Sequence, residues 1–260
     1  MAGIGTAAAI ALGISQTVYL AAMVTVGVRI ARLARRTRQL PEALLAAHFL
    51  LCCTLGYALQ GSGHAMAMEP GASHALVAIL LVVGHGASVI GVSCVLLFNY
   101  QVFRRGTLLG KALLAAGIAL LLAGYVGYGA SGGFADGRPL GFWFWLLYTG
   151  FTAASVWTLF EPLLFFAEMR KRLRLGLADP LVADRFLLWG IGSIARFAML
   201  VIGAVSMLRL TGNASDFAAI AAPTFLASGL AGIAVAVCYS LAFFPSRGYL
   251  MSVARRYSRD

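Results

Sequence analysis

The sequence is poor in charged residues, and above all in acidic ones. Charged side chains make up 11% of the 260 residues, with 9 Asp and Glu against 20 Lys and Arg, while 61% of the residues are hydrophobic. Soluble domains carry about 25% charged residues, and disordered chains carry few apolar ones, so this composition excludes both classes. The scarce carboxylates also form no pair placed for acid–base catalysis, which argues against an enzyme.

Lysine and the usual catalytic motifs are also missing. The only lysines, Lys111 and Lys171, lie at helix ends, so the seventh apolar run cannot form a retinal Schiff base. The sequence has no phosphate-binding glycine loop with a lysine, no His-Glu-x-x-His and no Gly-x-Ser-x-Gly. These absences exclude the common hydrolase and nucleotide-binding classes.

The chain has little cysteine, and all of it lies inside apolar runs. Cys52, Cys53, Cys94 and Cys238 therefore predict no disulfide framework. A buried free cysteine usually behaves as a small apolar residue, and we interpret these four in that way.

Long apolar runs are what the chain has in abundance. Each holds about 20 residues or more, enough to cross about 30 Å of hydrocarbon as a helix. The first run is too long for a signal peptide, and its positive charges follow it. We therefore predict an all-α polytopic membrane protein, a seven-transmembrane-helix bundle forming a single domain over residues 1–260. Its helices are predicted at about 6–30, 42–60, 74–100, 108–128, 142–166, 186–210 and 217–244.

The basic residues predict the orientation of the bundle. Of the 20 Lys and Arg residues, all but Arg138, Arg196 and Arg209 lie at the ends of helices that share one side. The positive-inside rule then places the N-terminus outside and the C-terminus inside. We expect a multi-pass protein of a bacterial inner membrane, whose net charge of +11 meets anionic lipids instead of nucleic acid.

Two charges lie deep within neighbouring apolar runs. Glu161 is on the fifth predicted helix and Arg196 on the sixth, at similar depths from the loop that joins them. An isolated charge at mid-membrane costs about 2.5–3.5 kcal/mol or more, so we predict an ion pair, with Thr158 and Ser193 as hydrogen-bond partners. The pair is interpreted either as a structural clamp or as a gate, a proton-coupled switch or an anion site. Pro162 should kink the fifth helix beside it.

All four histidines lie on the second and third predicted helices or in the loop between them. No cofactor is predicted outright, but His48 and His85 could hold a haem b between the two helices, with His85 about 7 Å off level. The alternative is that His85 forms hydrogen bonds between helices, on a stripe with Ser88 and Asn99.

A second cluster of metal-ligating residues lies at the predicted outer end of the same helices. His64, Met66 and Met68 offer imidazole and thioether donors, which suit Cu(I), and His74 could close the site from the far end of the loop. The alternative is that the methionines contact lipid or fill gaps in the packing.

Polar side chains within the apolar runs predict a polar interior. Such residues usually face neighbouring helices, where they line a pocket or link the helices. The predicted set is Gln16, Tyr19, Tyr57, Gln60, His85, Ser88, Asn99, Tyr148, Thr152 and Ser155.

Three functions are compatible with these features. The first is a sensor or receptor-like module that binds a small or lipidic ligand and couples to a cytoplasmic or membrane protein partner, because the tail from Pro245 is too short for an output domain. The second is a small secondary transporter that uses Glu161 and Arg196. The third is a haem- or copper-binding protein that uses the histidines.

Overall fold

The fold is all-helical and built from membrane-spanning helices. The computed structural model describes residues 6–67, 69, 71–136, 141–210 and 217–257, and this part of the chain contains no strand. Met68 and Arg138 lie outside the described residues, as does the side chain of Arg209. The helices are α1 (Thr6–Thr37), α2 (Leu40–Ala47), a π-helix (His48–Gly56), α3 (Tyr57–Ala67), α4 (His74–Phe103), α5 (Leu108–Ala130), α6 (Gly133–Asp136), α7 (Phe142–Arg174), α8 (Pro180–Leu210), α9 (Phe217–Phe243) and α10 (Arg247–Tyr257).

Seven helical spans are long and apolar enough to cross a membrane, which confirms the all-α seven-helix bundle. The chain is thus an integral, multi-pass membrane protein. The second span, Leu40–Ala67, is a composite in which the π-helix joins α2 to α3 without a break. A π-helix of nine residues is unusual, because such turns mostly occur as single bulges.

Several helices extend beyond the predicted ends into charged sequence. α7 continues to Arg174, with Lys171, Arg172 and Arg174 in its last turn, where cations complement the negative end of the helix dipole. α8 begins at Pro180, because proline suits a first helical turn and the Asp179 side chain accepts a hydrogen bond from the Leu181 amide.

The chain divides into two compact units. Unit 1 comprises Met1–Ala22 and Ser155–Asp260, and unit 2 comprises Met23–Ala154. The two boundaries therefore fall inside α1 and α7.

Unit 2 is built around α4, which contacts α2, the π-helix, α3, α5 and α6. Glycines allow the second span and α4 to approach closely. A Cβ atom on Gly91 would lie 2.6 Å from the Cys52 amide nitrogen, and one on Gly63 would lie 2.8 Å from Leu81 Cδ2. Small residues at membrane helix interfaces permit such backbone contact.

Unit 1 is built around α8 and α9, which pack along one another. A Cβ atom on Gly192 would lie 2.7 Å from Tyr239 Cε1, and one on Gly190 would overlap Leu163 of α7. α10 packs against α8, and Ala183 and Val253 are buried there. These contacts fix the relative heights of α7, α8 and α9.

Candidate functional site

The π-helix brings together three side chains that can bind metals. Its backbone hydrogen bonds join residues five apart, so it stacks His48 on Cys53, whereas an α-helix stacks residues four apart. The Thr54 hydroxyl donates to the Phe49 carbonyl at 2.9 Å and supports the same five-residue spacing. His48, Cys52 and Cys53 can each present one ligand atom within 4.8 Å of the other two.

His48 is held in one tautomer by α4. Its ring is 2% exposed, and Nδ1 lies 2.9 Å from the Gly91 carbonyl oxygen. A carbonyl only accepts, so Nδ1 carries the proton and Nε2 keeps its lone pair. Nε2 lies 3.6 Å from Cys53 Sγ. Metal-binding histidines are commonly oriented in this way, with the second ring nitrogen donating to a backbone carbonyl.

Cys52 and Cys53 were expected from the sequence to be small apolar residues, and the structure adds both to the candidate site. The spacing of these residues could have indicated the cluster. In an α-helix Cys52, four residues after His48, stacks on it, and in a π-helix Cys53, five residues after it, does so.

His85 lies in a different environment from His48. It is 3% exposed, and its Nδ1 donates to the Leu81 carbonyl of its own helix at 2.9 Å. The His48 ring bonds to the Gly91 carbonyl, whereas His85 lies six residues before Gly91, or about 9 Å along α4, with its ring turned back to the Leu81 carbonyl. The predicted ligands of a shared haem are therefore not brought together.

The predicted copper ligands are brought together only in part. The His64 ring packs edge-on against His85 with 6.0 Å between centroids, and Met66 packs on the core that contains Tyr128. His74 is exposed in the first turn of α4, and Met68 lies outside the described residues.

Polar residues of the predicted interior link helices. The Gln60 amide donates to the Gly84 carbonyl at 3.1 Å and to the Ser88 hydroxyl at 2.6 Å, which ties α3 to α4. Thr152 instead donates to the Tyr148 carbonyl of its own helix at 2.8 Å. Tyr19, His85, Ser88 and Asn99 are buried, and Gln16, Tyr57, Gln60, Tyr148, Thr152 and Ser155 are half-buried.

Glu161 lies in the interior of unit 1. It is 6% exposed, and Oε1 accepts a hydrogen bond of 2.9 Å from Trp157 Nε1. The contact of Leu163 with Gly190 places Arg196 near the level of Trp157, about 6 Å from Glu161 along the helices. Arg196 is half-buried, and its ion pair with Glu161 stays a prediction.

The two predicted hydroxyl partners of this pair are both buried. Thr158 is 6% exposed and Ser193 is 3% exposed, and the Ser193 hydroxyl lies 3.1 Å from that of Tyr239. Asp184 was expected to precede the sixth helix, and no role was predicted for it. In the structure Asp184 lies within α8 and is 2% exposed.

No protein-family model matches the chain, and comparison with curated proteins and with solved structures finds no match. Function therefore has to be inferred from the chain's own residues.

Proposed function

We propose that this protein is an integral membrane sensor or receptor-like module in which the π-helix responds to a bound ligand. The single observation that carries the proposal is the nine-residue π-helix in the middle of the second span. π-Helical turns are frequent at functional sites, and a change between π and α spacing moves one end of a helix relative to the other.

The anchoring of the span decides which end moves. α3 is tied to α4 by the two hydrogen bonds of Gln60 and by the close approach of Gly63 to Leu81. α2 also packs against α4, but the hydrogen bonds of Gln60 hold α3 in place, so a change of spacing is expected to move α2. Its Glu42 accepts a hydrogen bond from Thr37, the last residue of α1, beside the arginine-rich end of that helix. This is the predicted cytoplasmic side, where a protein partner or anionic lipids would receive the signal.

A deletion tests this coupling without knowledge of the ligand. Removing Leu51 takes one residue from the π-helix and favours α spacing. Because the lost residue and the tighter α turn act in opposite directions, α2 should rotate relative to α3 by a fraction of a turn, well under about 100°. A fluorescent amino acid at Leu40, the exposed first residue of α2, reports that rotation. The matched control is Leu51→Ala, which removes the side chain and keeps the residue count.

The proposal expects the emission of the reporter to shift in the deletion variant and to stay unchanged in Leu51→Ala, with both proteins folded in nanodiscs. The same emission in both variants would show that the π-helix is not coupled to α2, and would overturn the proposal.

A secondary transporter is the second candidate, favoured by buried Glu161 beside Pro162 inside α7. A buried acid next to a proline that removes a backbone hydrogen bond suits a proton-coupled gate. Wild-type proteoliposomes should then give a transient current when mixed amino acids or mixed sugars are applied, and Glu161→Gln should abolish it. Equal currents in wild type and variant would exclude Glu161 as the coupling residue.

A further inference from the structure

We propose that His48, Cys52 and Cys53 form a binding site for a thiophilic metal ion, Zn(II) or Cu(I), within the second span. The metal ion would be the ligand of the sensor proposed above, and its sensory role rests on that proposed function. The site itself depends only on the geometry of the π-helix and α4.

The spacing of the donor atoms fits a coordinated metal. With Zn–S of about 2.3 Å and Zn–N of about 2.0 Å at a tetrahedral angle, the sulfur and nitrogen lie about 3.5 Å apart. The observed separation of His48 Nε2 and Cys53 Sγ is 3.6 Å. Cys52 lies within 4.8 Å of both, so a small adjustment of its side chain completes a set of three ligands.

The surroundings prepare the imidazole for this role. The Gly91 carbonyl accepts the Nδ1 proton, so the Nε2 lone pair is available and the ring cannot turn without losing that hydrogen bond. His48 and Cys53 are both 2% exposed and Cys52 is half-buried, and all three lie within the apolar span Leu40–Ala67. Two bare thiolates would be costly there, and the metal-free site holds neutral thiols.

The metal ion displaces the protons of the two thiols, the sulfurs form two metal–sulfur bonds, and His48 Nε2 donates its lone pair. Two protons leave for solvent. With Zn(II) and two thiolates the site carries no net charge, which suits its burial, whereas Cu(I) is better satisfied by three soft ligands. Because protons are released, affinity should rise with pH.

Competition measurements on the full chain in nanodiscs test the site. Zn(II) is presented with a chromophoric chelator, and Cu(I) is presented anaerobically as its bicinchoninate complex. Wild type and the control Cys238→Ser should bind one equivalent of at least one ion. Cys52→Ser, Cys53→Ser and His48→Gln should each bind more than about tenfold more weakly. Which ion binds more tightly decides between Zn(II) and Cu(I).

Alkylation of the wild-type protein gives a second test that needs no variant to fold. The metal should protect Cys52 and Cys53 from N-ethylmaleimide in the mass spectrum and leave the modification of Cys238 unchanged. If wild type binds neither ion, or if the Cys52→Ser and Cys53→Ser variants bind as tightly as wild type, the proposed site is wrong.

The Leu40 reporter separates this proposal from the sensor. If Zn(II) or Cu(I) binds and protects both cysteines from alkylation but leaves the reporter emission unchanged, the metal site is supported and its sensory role is wrong. If the Leu51 deletion shifts the reporter while wild type binds neither ion, the coupling stands and the metal site is wrong.

Discussion

The two units hold their helices together by different means. In unit 2, side chains of the second span bond directly to the backbone of α4, as Gln60 does to Gly84 and His48 does to Gly91. Gln60 also bonds to the Ser88 side chain. In unit 1, the described hydrogen bond between helices joins two side chains, Ser193 of α8 and Tyr239 of α9, while Trp157 bonds to Glu161 within α7. A side chain reaches the backbone of a neighbouring helix only where the two helices approach closely, and glycine permits that approach. Contacts between side chains depend on charge and hydroxyl partners instead.

The largest effect is expected from the charge in unit 1. Glu161→Gln removes a buried carboxylate and weakens its bond from Trp157, and it leaves the predicted partner Arg196 without its counter-charge. We expect a loss of about 3 kcal/mol in the free energy of unfolding, measured by denaturation in mixed detergent micelles.

The double variant sharpens this prediction. Neutralising Arg196 together with Glu161 should restore part of the loss. If Glu161→Gln and Arg196→Gln are both silent, the predicted ion pair does not exist.

In unit 2 the corresponding test concerns close approach. Gly91→Ala places a Cβ atom 2.6 Å from the Cys52 amide nitrogen, so the two backbones must separate. We expect a loss of about 2 kcal/mol by the same denaturation measurement. Gly61→Ala is the matched control, because a Cβ atom there has no neighbour within 4 Å. Equal stability of the two variants would contradict the close contact.

A smaller loss should follow from Trp157→Phe. This change keeps an aromatic ring and removes the indole N–H that donates to Glu161 Oε1 at 2.9 Å. We expect a loss of about 1.5 kcal/mol in the free energy of unfolding. Trp145→Phe, at a half-buried tryptophan of the same helix, should cost clearly less. A larger loss of stability in Trp145→Phe than in Trp157→Phe would show that the Trp157–Glu161 hydrogen bond does not stabilise unit 1.

The smallest effect belongs to the neutral contact of unit 1. Ser193→Ala deletes the hydroxyl that lies 3.1 Å from that of Tyr239 and should cost about 1 kcal/mol. Ser206→Ala serves as control, because that hydroxyl bonds to the Ile202 carbonyl of its own helix. A double-mutant cycle with Tyr239→Phe should show coupling. Additive losses would mean that the two hydroxyls do not interact.

The fold was predictable from sequence because the bilayer imposes a simple rule. Apolar runs of sufficient length must be helical, so the seven spans followed from hydropathy alone. Helix ends were less predictable, since α7 and α8 extend into the basic segment between them, where capping by Asp179 and the helix dipole matter more than hydropathy.

The candidate site was less predictable, because it depends on a local departure from α-helical spacing. Periodicity of 100° per residue assigns His48 and Cys53 to different faces, and only the π-helix stacks them. The pairing of His48 with His85 depended instead on their estimated depths in the second and third helices. Glu161, in contrast, was found from sequence because a buried charge is conspicuous in an apolar run.

The most direct test of the metal site is X-ray absorption at the metal edge of zinc-loaded or copper-loaded protein in nanodiscs. The first coordination shell of the zinc form should contain two sulfur atoms at about 2.3 Å and one histidine nitrogen at about 2.0 Å. Loss of one sulfur in Cys53→Ser, with Cys238→Ser unchanged, would assign the shell. A shell of nitrogen and oxygen alone would contradict a site formed by the π-helix cysteines.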